Sequence, residues 1–193
     1  FTAFKGLNLT FERSTVYGIT GPSGCGKSST IKAILRLLDE TSGQILMDGK
    51  NLVAIKPKEK GRDPKAFKPF RKRMAVVQQD SRFSFFPDLK IRDSFKQIVA
   101  AGNEGTIEEL GENLEKVGLT KAHLDAYPQS LSSGEMKRMD IARALTSKPD
   151  ILLLDEPFAH IDFDTRLHVM KVISDYLASH ATILVVVTHE DFD

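Results

Sequence analysis

The chain has 193 residues, 41% of them hydrophobic and 27% charged, with a formal net charge of +1 and one cysteine. That is enough chain for one well-buried core, and it excludes a disulfide framework, a cysteine metal site and a global field that would draw nucleic acid or a membrane surface. No apolar run approaches a membrane span, and the N-terminus lacks the charged-then-apolar order of a secretory signal.

Residues 1–11 alternate loosely (Phe4, Leu7, Leu9, Phe11) and predict a strand, turned by Glu12, Arg13 and Ser14 into a second strand over 15–20. The second strand carries Val16, Tyr17 and Ile19 into Gly21, Pro22, Ser23, Gly24, Cys25, Gly26, Lys27, Ser28 and Ser29, which fit the phosphate-binding pattern G-x-x-x-x-G-K-[ST]. Glycines at 21, 24 and 26 let the backbone turn so that successive N–H groups face phosphate oxygens, aided by the positive end of the next helix. Lys27 then reaches the β- and γ-phosphates, Ser28 offers its hydroxyl to Mg²⁺, and Ser29 adds a bond to a phosphate oxygen. The competing reading, a glycine-rich turn that binds nothing, fits poorly with strand, Lys and Ser all in place.

Ile31, Ile34, Leu35 and Leu38 predict a helix to about Leu38, broken by 39–43, and 44–49 reads as a strand ending in an Asp48-Gly49 turn. Residues 56–73 are strongly basic, and Pro57, Pro64 and Pro69 argue against one continuous helix. Two readings stand there: a solvated surface loop, or a contact with lipid phosphates or an acidic partner. A short apolar strand over 74–77 delivers Gln78, Gln79 and Asp80 to the edge where open α/β sheets hold ligands. The following Phe83, Phe85, Phe86 and Pro87 form either a small core or an exposed docking patch.

Residues 91–100 predict a helix. Thr106 and Glu109 have capping-box spacing ahead of Ile107, Leu110, Leu114 and Val117, with Gly118 placed to end that helix. The section over about 84–146 therefore reads as a helical lobe inserted into a sheet domain. Ser132 and Glu135 repeat the capping-box spacing at the head of a helix with Met136, Met139, Ala142 and Leu145 on one side, and such a helix end binds anions. The uninterrupted apolar run over 151–154 requires a strand buried on both faces, so Asp155 and Glu156 emerge beside the phosphate loop. There Asp155 can hold Mg²⁺, and Glu156 can orient and deprotonate a water aimed at the γ-phosphate. A helix over 164–179 is expected to bury Leu167, Met170, Ile173 and Leu177, and a last strand over 181–187 leads to Thr188 and His189.

Taken in order, these motifs resemble the nucleotide-binding domain of the ABC transporter ATPases over essentially the whole chain. Residues 21–29 match its Walker A loop, Gln79 the Q-loop glutamine, 131–135 the family signature, 151–156 Walker B, 159–162 the D-loop, and His189 the switch histidine. The resemblance implies one α/β domain over 1–193: a P-loop NTPase (RecA-like) core with a mainly parallel sheet, a small antiparallel β-subdomain and an inserted α-helical subdomain. It implies an ATPase with ATP and Mg²⁺, the metal held by Ser28, Gln79 and Asp155, with Glu156, His189 and Gln79 in catalysis. It further implies a head-to-tail dimer with a second such domain, homo- or heteromeric, in which Ser132, Ser133, Gly134 and Glu135 of one chain meet ATP held by the other. Asp162 communicates across that interface. Ser133 stands where the family usually has Gly, and Glu135 where Gln is usual. A carboxylate there is unfavourable beside phosphates unless it folds into its own helix cap. His160 and Ile161 stand at D-loop positions where small or aliphatic residues are common.

The family's adenine-stacking aromatic lies upstream of Phe1, and its members continue past Asp193, so truncated termini are expected. Residues 84–93 look loosely like the peptide and nickel importer branch, which implies transmembrane permease subunits as partners, with 84–93 docking the permease's coupling helix. The membrane is then met only through the permease, on its cytoplasmic face, and no nucleic acid is expected. The alternative is a soluble ABC ATPase of DNA repair or translation; the short helical lobe and single cassette count against it.

Overall fold

A computed structural model describes residues 5–38, 42–55 and 66–189. Strand β1 (Val16–Thr20) leads through the 21–26 turn into α1 (Lys27–Ile34), and a hairpin of β2 (Leu46–Met47) and β3 (Lys50–Asn51) follows. Asp48 and Gly49 turn that hairpin with φ of 49° and 76°, the pair of positive values that an Asp-Gly type I′ turn needs. Next come α2 (Lys68–Arg71), β4 (Met74–Val77), α3 (Ile91–Ala100), α4 (Ile107–Lys116) and α5 (Ser133–Thr146). The chain closes with β5 (Ile151–Asp155), α6 (Phe163–Ser179) and β6 (Ile183–Thr188).

The main sheet runs β1-β6-β5-β4 with every pair parallel, and β2 and β3 make a separate antiparallel pair. Alternation along the strands divides the core in two. Ala75, Val77, Leu152, Leu154, Leu184 and Val186 face α5 and α6, with α3 and α4 packed beyond them. Met74, Leu153, Val185 and Val187 face α1 and the hairpin. Parallel strands covered on both sides account for the uninterrupted apolar runs at 151–154 and 183–187. All four strands end on one edge, where Thr20 pairs with Thr188 and Asp155 with Val187.

Four expectations are corrected. Residues 5–11 form no strand, and residues 1–4 of that expected element lie outside the described residues. Leu7 and Leu9 are half-exposed, and only Phe11 closes on the sheet, its ring edge-on to Tyr17 at 4.9 Å. Helix α1 stops at Ile34, not Leu38, because Arg36 turns left-handed (φ 57°) and the N–H groups of Leu37 and Arg36 bond back to the Lys32 and Ala33 carbonyls, a Schellman closure without glycine. The strand expected over 44–49 shrinks to β2. In α6 the buried stripe is Val169 and Ile173, with Val172, Tyr176 and Leu177 beside them, while Leu167 and Met170 face solvent.

The basic segment is described only from residue 66; there α2 begins with Pro69 in its first turn, where the missing N–H costs nothing. Its residues 56–65 lie outside the described residues. Among the described residues no helix is long and apolar enough to cross a membrane.

Candidate active site

The phosphate-type loop sits between β1 and α1. Gly21, Gly24 and Gly26 have φ of 152°, 81° and 103°, and a Cβ at Gly21 would meet the Cys25 sulfur at 3.0 Å. Glycine at 24 and 26 is thus a requirement of the backbone, not a convenience. Gly26 precedes α1 without a side-chain cap, and the first turn carries no acid, so the helix presents its free N–H groups and positive end to the loop. Lys27 bends back across it, Nζ donating to the Gly21 carbonyl at 2.6 Å and the Pro22 carbonyl at 3.0 Å. Pro22, Ser23, Gly24 and Cys25 are exposed at the loop's tip, and Ser29 stands half-buried in the first turn of α1.

Beside the loop, Ser28 Oγ donates to Asp155 Oδ1 at 3.1 Å, joining residues 127 positions apart. Asp155 is 7% exposed, and burial pushes its carboxyl above the ordinary range against the opposing Ser28 hydrogen bond. A hydroxyl and a buried carboxylate meeting this closely fit a small hard cation that takes its remaining oxygens from phosphate and water. Among the described residues no cluster of three or more His, Cys, Asp or Glu side chains offers a metal cage of another kind.

Glu156 follows in the left-handed region (φ 49°), its N–H fixed on the Val187 carbonyl at 2.9 Å. A non-glycine residue there stores strain, and such strain concentrates at working sites. The turn aims the carboxylate across to β6, where His189 Nδ1 donates to Oε1 at 2.8 Å and Thr188 Oγ1 to Oε2 at 3.1 Å. Glu156 is thereby oriented at both oxygens while His189 stays open to solvent. A carboxylate so held can accept a proton from a water and keep its aim.

Gln79 lies exposed just past β4. Its carbonyl and that of Gln78 accept from Lys137 Nζ at 2.9 and 2.7 Å, and Lys137 is only 2% exposed. Burial lowers the Lys137 ammonium from its usual range, opposed by the charges of Asp140, Asp155, Asp80 and Glu156. Sequence reasoning missed Lys137 and its neighbour Asp140. The available signal was α5 itself, apolar at 136, 139, 141, 142, 144 and 145, which leaves little of the helix for solvent. The phenylalanine cluster divides between its two readings: Phe85 is buried, whereas Phe83 and Phe86 are 76% and 50% exposed.

The expected second half-site is the head of α5. Ser132 caps α5, and Glu135 closes a capping box: Glu135 Oε2 accepts from the Ser132 N–H and hydroxyl, each at 2.8 Å, while the Glu135 N–H donates to Ser132 Oγ. Those two donors on Ser132 hold the Glu135 carboxyl below the ordinary range. The carboxylate at this position is thus folded into its own cap. Ser133 is exposed, and Gly134 has no room for a side chain, since a Cβ would lie 2.9 Å from the His160 carbonyl. His160 is left-handed (φ 65°), and Asp162 caps α6 by accepting from the Thr165 N–H at 3.0 Å. Among the described residues no hydrogen bond joins 132–135 to 21–29.

Residues 4–159 match the family model described as ABC transporter. The chain is similar to the oligopeptide transport ATP-binding protein OppF of Bacillus subtilis (28% identical over 193 residues, 97% of this chain and 61% of that protein). It is similar to the Fe(3+) ions import ATP-binding protein FbpC of Mesorhizobium japonicum (32% over 188 residues, 97% and 49%). The cell division ATP-binding protein FtsE of B. subtilis is 34% identical over 198 residues, covering 97% of this chain and 78% of that one. The chain thus spans about half to three-fifths of the length of OppF and FbpC. Two solved structures of the ABC transporter cassette MJ0796, one described as dimeric and one as a dimeric post-hydrolysis state bound to ADP and Pi, each superpose with a TM-score of 0.83 at 26% identity, covering 97% of this chain and 80% of theirs. The extent of the family match and the identity to FtsE lead to one conclusion: the chain belongs to the ABC transporter family and is an ATP-binding cassette of it.

Proposed function

We propose that this cassette is the ATP-hydrolysing subunit of a transporter, and that it works as a head-to-tail dimer coupled to a membrane permease. The observation that carries the reading is the convergence at one sheet edge: Lys27 at the loop, Ser28 on Asp155, and Glu156 held by His189 and Thr188. The 21–29 loop takes the phosphates on backbone N–H groups, and Lys27 moves from its loop carbonyls to the β- and γ-oxygens. Ser28, Asp155 and Gln79 would hold Mg²⁺, which would supply neutralisation of charge on the phosphate oxygens. Glu156 orients a water and accepts its proton, and His189 stabilises the transferring phosphoryl group. Ser132, Ser133 and Gly134 present the head of α5 to ATP held by the other chain, with Glu135 retained in its cap, and Asp162 relays between the two.

The transport reading draws on relatives named for oligopeptide transport and Fe(3+) import, and it makes a peptide or a metal the cargo. Exposed Phe83 and Phe86 beside Pro87 supply an apolar surface for the permease's coupling helix, on the cytoplasmic face of the membrane. Phosphate release with and without Mg²⁺ tests the chemistry. Glu156→Gln is expected to lower the rate by about 10² to 10⁴ while ATP still binds; wild-type turnover in that variant contradicts the assignment. Co-purification from membranes is expected to bring down a permease, and recovery of the chain free of any membrane protein counts against transport.

A further inference from the structure

Helix α5 carries a polar stripe, Lys137, Asp140 and Arg143, spaced three apart. Lys137 and Asp140 are 2% and 0% exposed, burial that side chains of this kind accept only when fully partnered. All three face the exit of β4. Arg143 donates to the Val76 carbonyl at 2.6 Å and to Asp140, and Asp140 accepts from Ser84 Oγ at 2.8 Å. Beyond Val77, Lys137 takes the carbonyls of Gln78 and Gln79. Val77 is the last residue of β4 in the sheet ladder, so the ammonium supplies these two carbonyls with donors after the ladder ends. Charge-assisted bonds to two successive carbonyls fix the peptide between them, and with it the direction in which the Gln79 side chain leaves the backbone.

We propose that Lys137 is a positioning residue for Gln79: its buried ammonium clamps the Gln78 and Gln79 carbonyls to the first turns of α5, so that the glutamine on the ATP side and Ser132 and Gly134 at the head of α5 move as one body. The inference rests on the role given to Gln79 under Proposed function. Lys137 touches neither nucleotide nor metal in this account, and it acts only through the backbone it holds.

The test is a double-mutant cycle on ATPase kinetics. Lys137→Met is expected to lower kcat by about 10- to 100-fold, the scale of a misplaced catalytic group, while the KM for ATP stays within about twofold because the 21–29 loop is untouched. In a Gln79→Ala background the same change is expected to cost less than about twofold in kcat, since the group it positions is gone. Should Lys137→Met not fold, Lys137→Gln, which keeps an amide donor in the cleft, carries the same cycle with a smaller loss. Equal losses in the two backgrounds overturn the positioning role, as does a loss confined to KM. A failure of the underlying reading has its own signature: Gln79→Ala alone then turns over at the wild-type rate, and the inference falls with it.

Discussion

At the carboxyl edge of the sheet, groups from the head of α1 and the ends of β5 and β6 are already bonded to one another: Ser28 to Asp155, and Glu156 to His189 and Thr188. At the head of α5 the polar groups are bonded to one another instead, Ser132 with Glu135. Both corners use the free N–H groups of a helix N-terminus. The first gathers a lysine, two acids and a histidine around them; the second has one acid, Glu135, and it is folded into the helix cap. Under the proposed head-to-tail arrangement the two corners are complementary parts of one site, supplied by different chains.

The largest expected break in this contrast is at the first corner. Lys27→Ala removes the only lysine of the loop and is expected to lower phosphate release by about 10² to 10³, the cost of one preorganised donor to developing charge. Undiminished turnover would mean that the loop is not where phosphate is held. At the second corner, Gly134→Ala forces a Cβ to within 2.9 Å of the His160 carbonyl. The overpacking costs about 1–3 kcal/mol, and it is expected to weaken ATP-dependent dimerisation about tenfold or more, measured by light scattering, while nucleotide binding to the monomer is retained. Equal weakening of both would place the two corners in one chain's site.

The smallest effect concerns the cap. The Glu135 carboxyl is held below its ordinary range in the folded chain, so its contribution to stability is present above the unfolded value of about 4.3 and is lost as pH falls through the lower folded value. Glu135→Gln is therefore expected to lower stability at pH 7 by about 0.5 kcal/mol, the worth of an acid in the first turn of a helix, and to match wild type once the carboxyl is protonated. Melting curves at the two pH values check it, and a deficit that persists in acid would contradict the capping role.

The first corner was the more legible in sequence for a physical reason. Its residues end buried parallel strands, and an apolar run such as 151–154 announces both the strand and the place where its polar end residues surface. The capping boxes at Thr106 and Ser132 were readable too, because both partners lie within one turn. What escaped depends on tertiary context. Arg36 ends α1 in a conformation that its residue type does not advertise, and the 5–11 segment has strand-like spacing without a strand beside it. Hydrophobicity alone does not tell Leu167 and Met170, which face solvent on α6, from Val169 and Val172, which pack against the core. Lys137 and Asp140 escaped because charged residues on a helix ordinarily mean solvent, and here they mean contact with Gln78, Gln79 and Ser84 just past β4.

Mixing two disabled chains tests the division of the site most directly. Lys27→Ala spoils the first corner and leaves the second; Gly134→Ala does the reverse. In an equal mixture half the dimers pair one of each, and every such dimer holds one intact site composed of both chains, so activity is expected to return to about a quarter of wild type. Activity that stays at the sum of the two separate variants would contradict a site shared between chains.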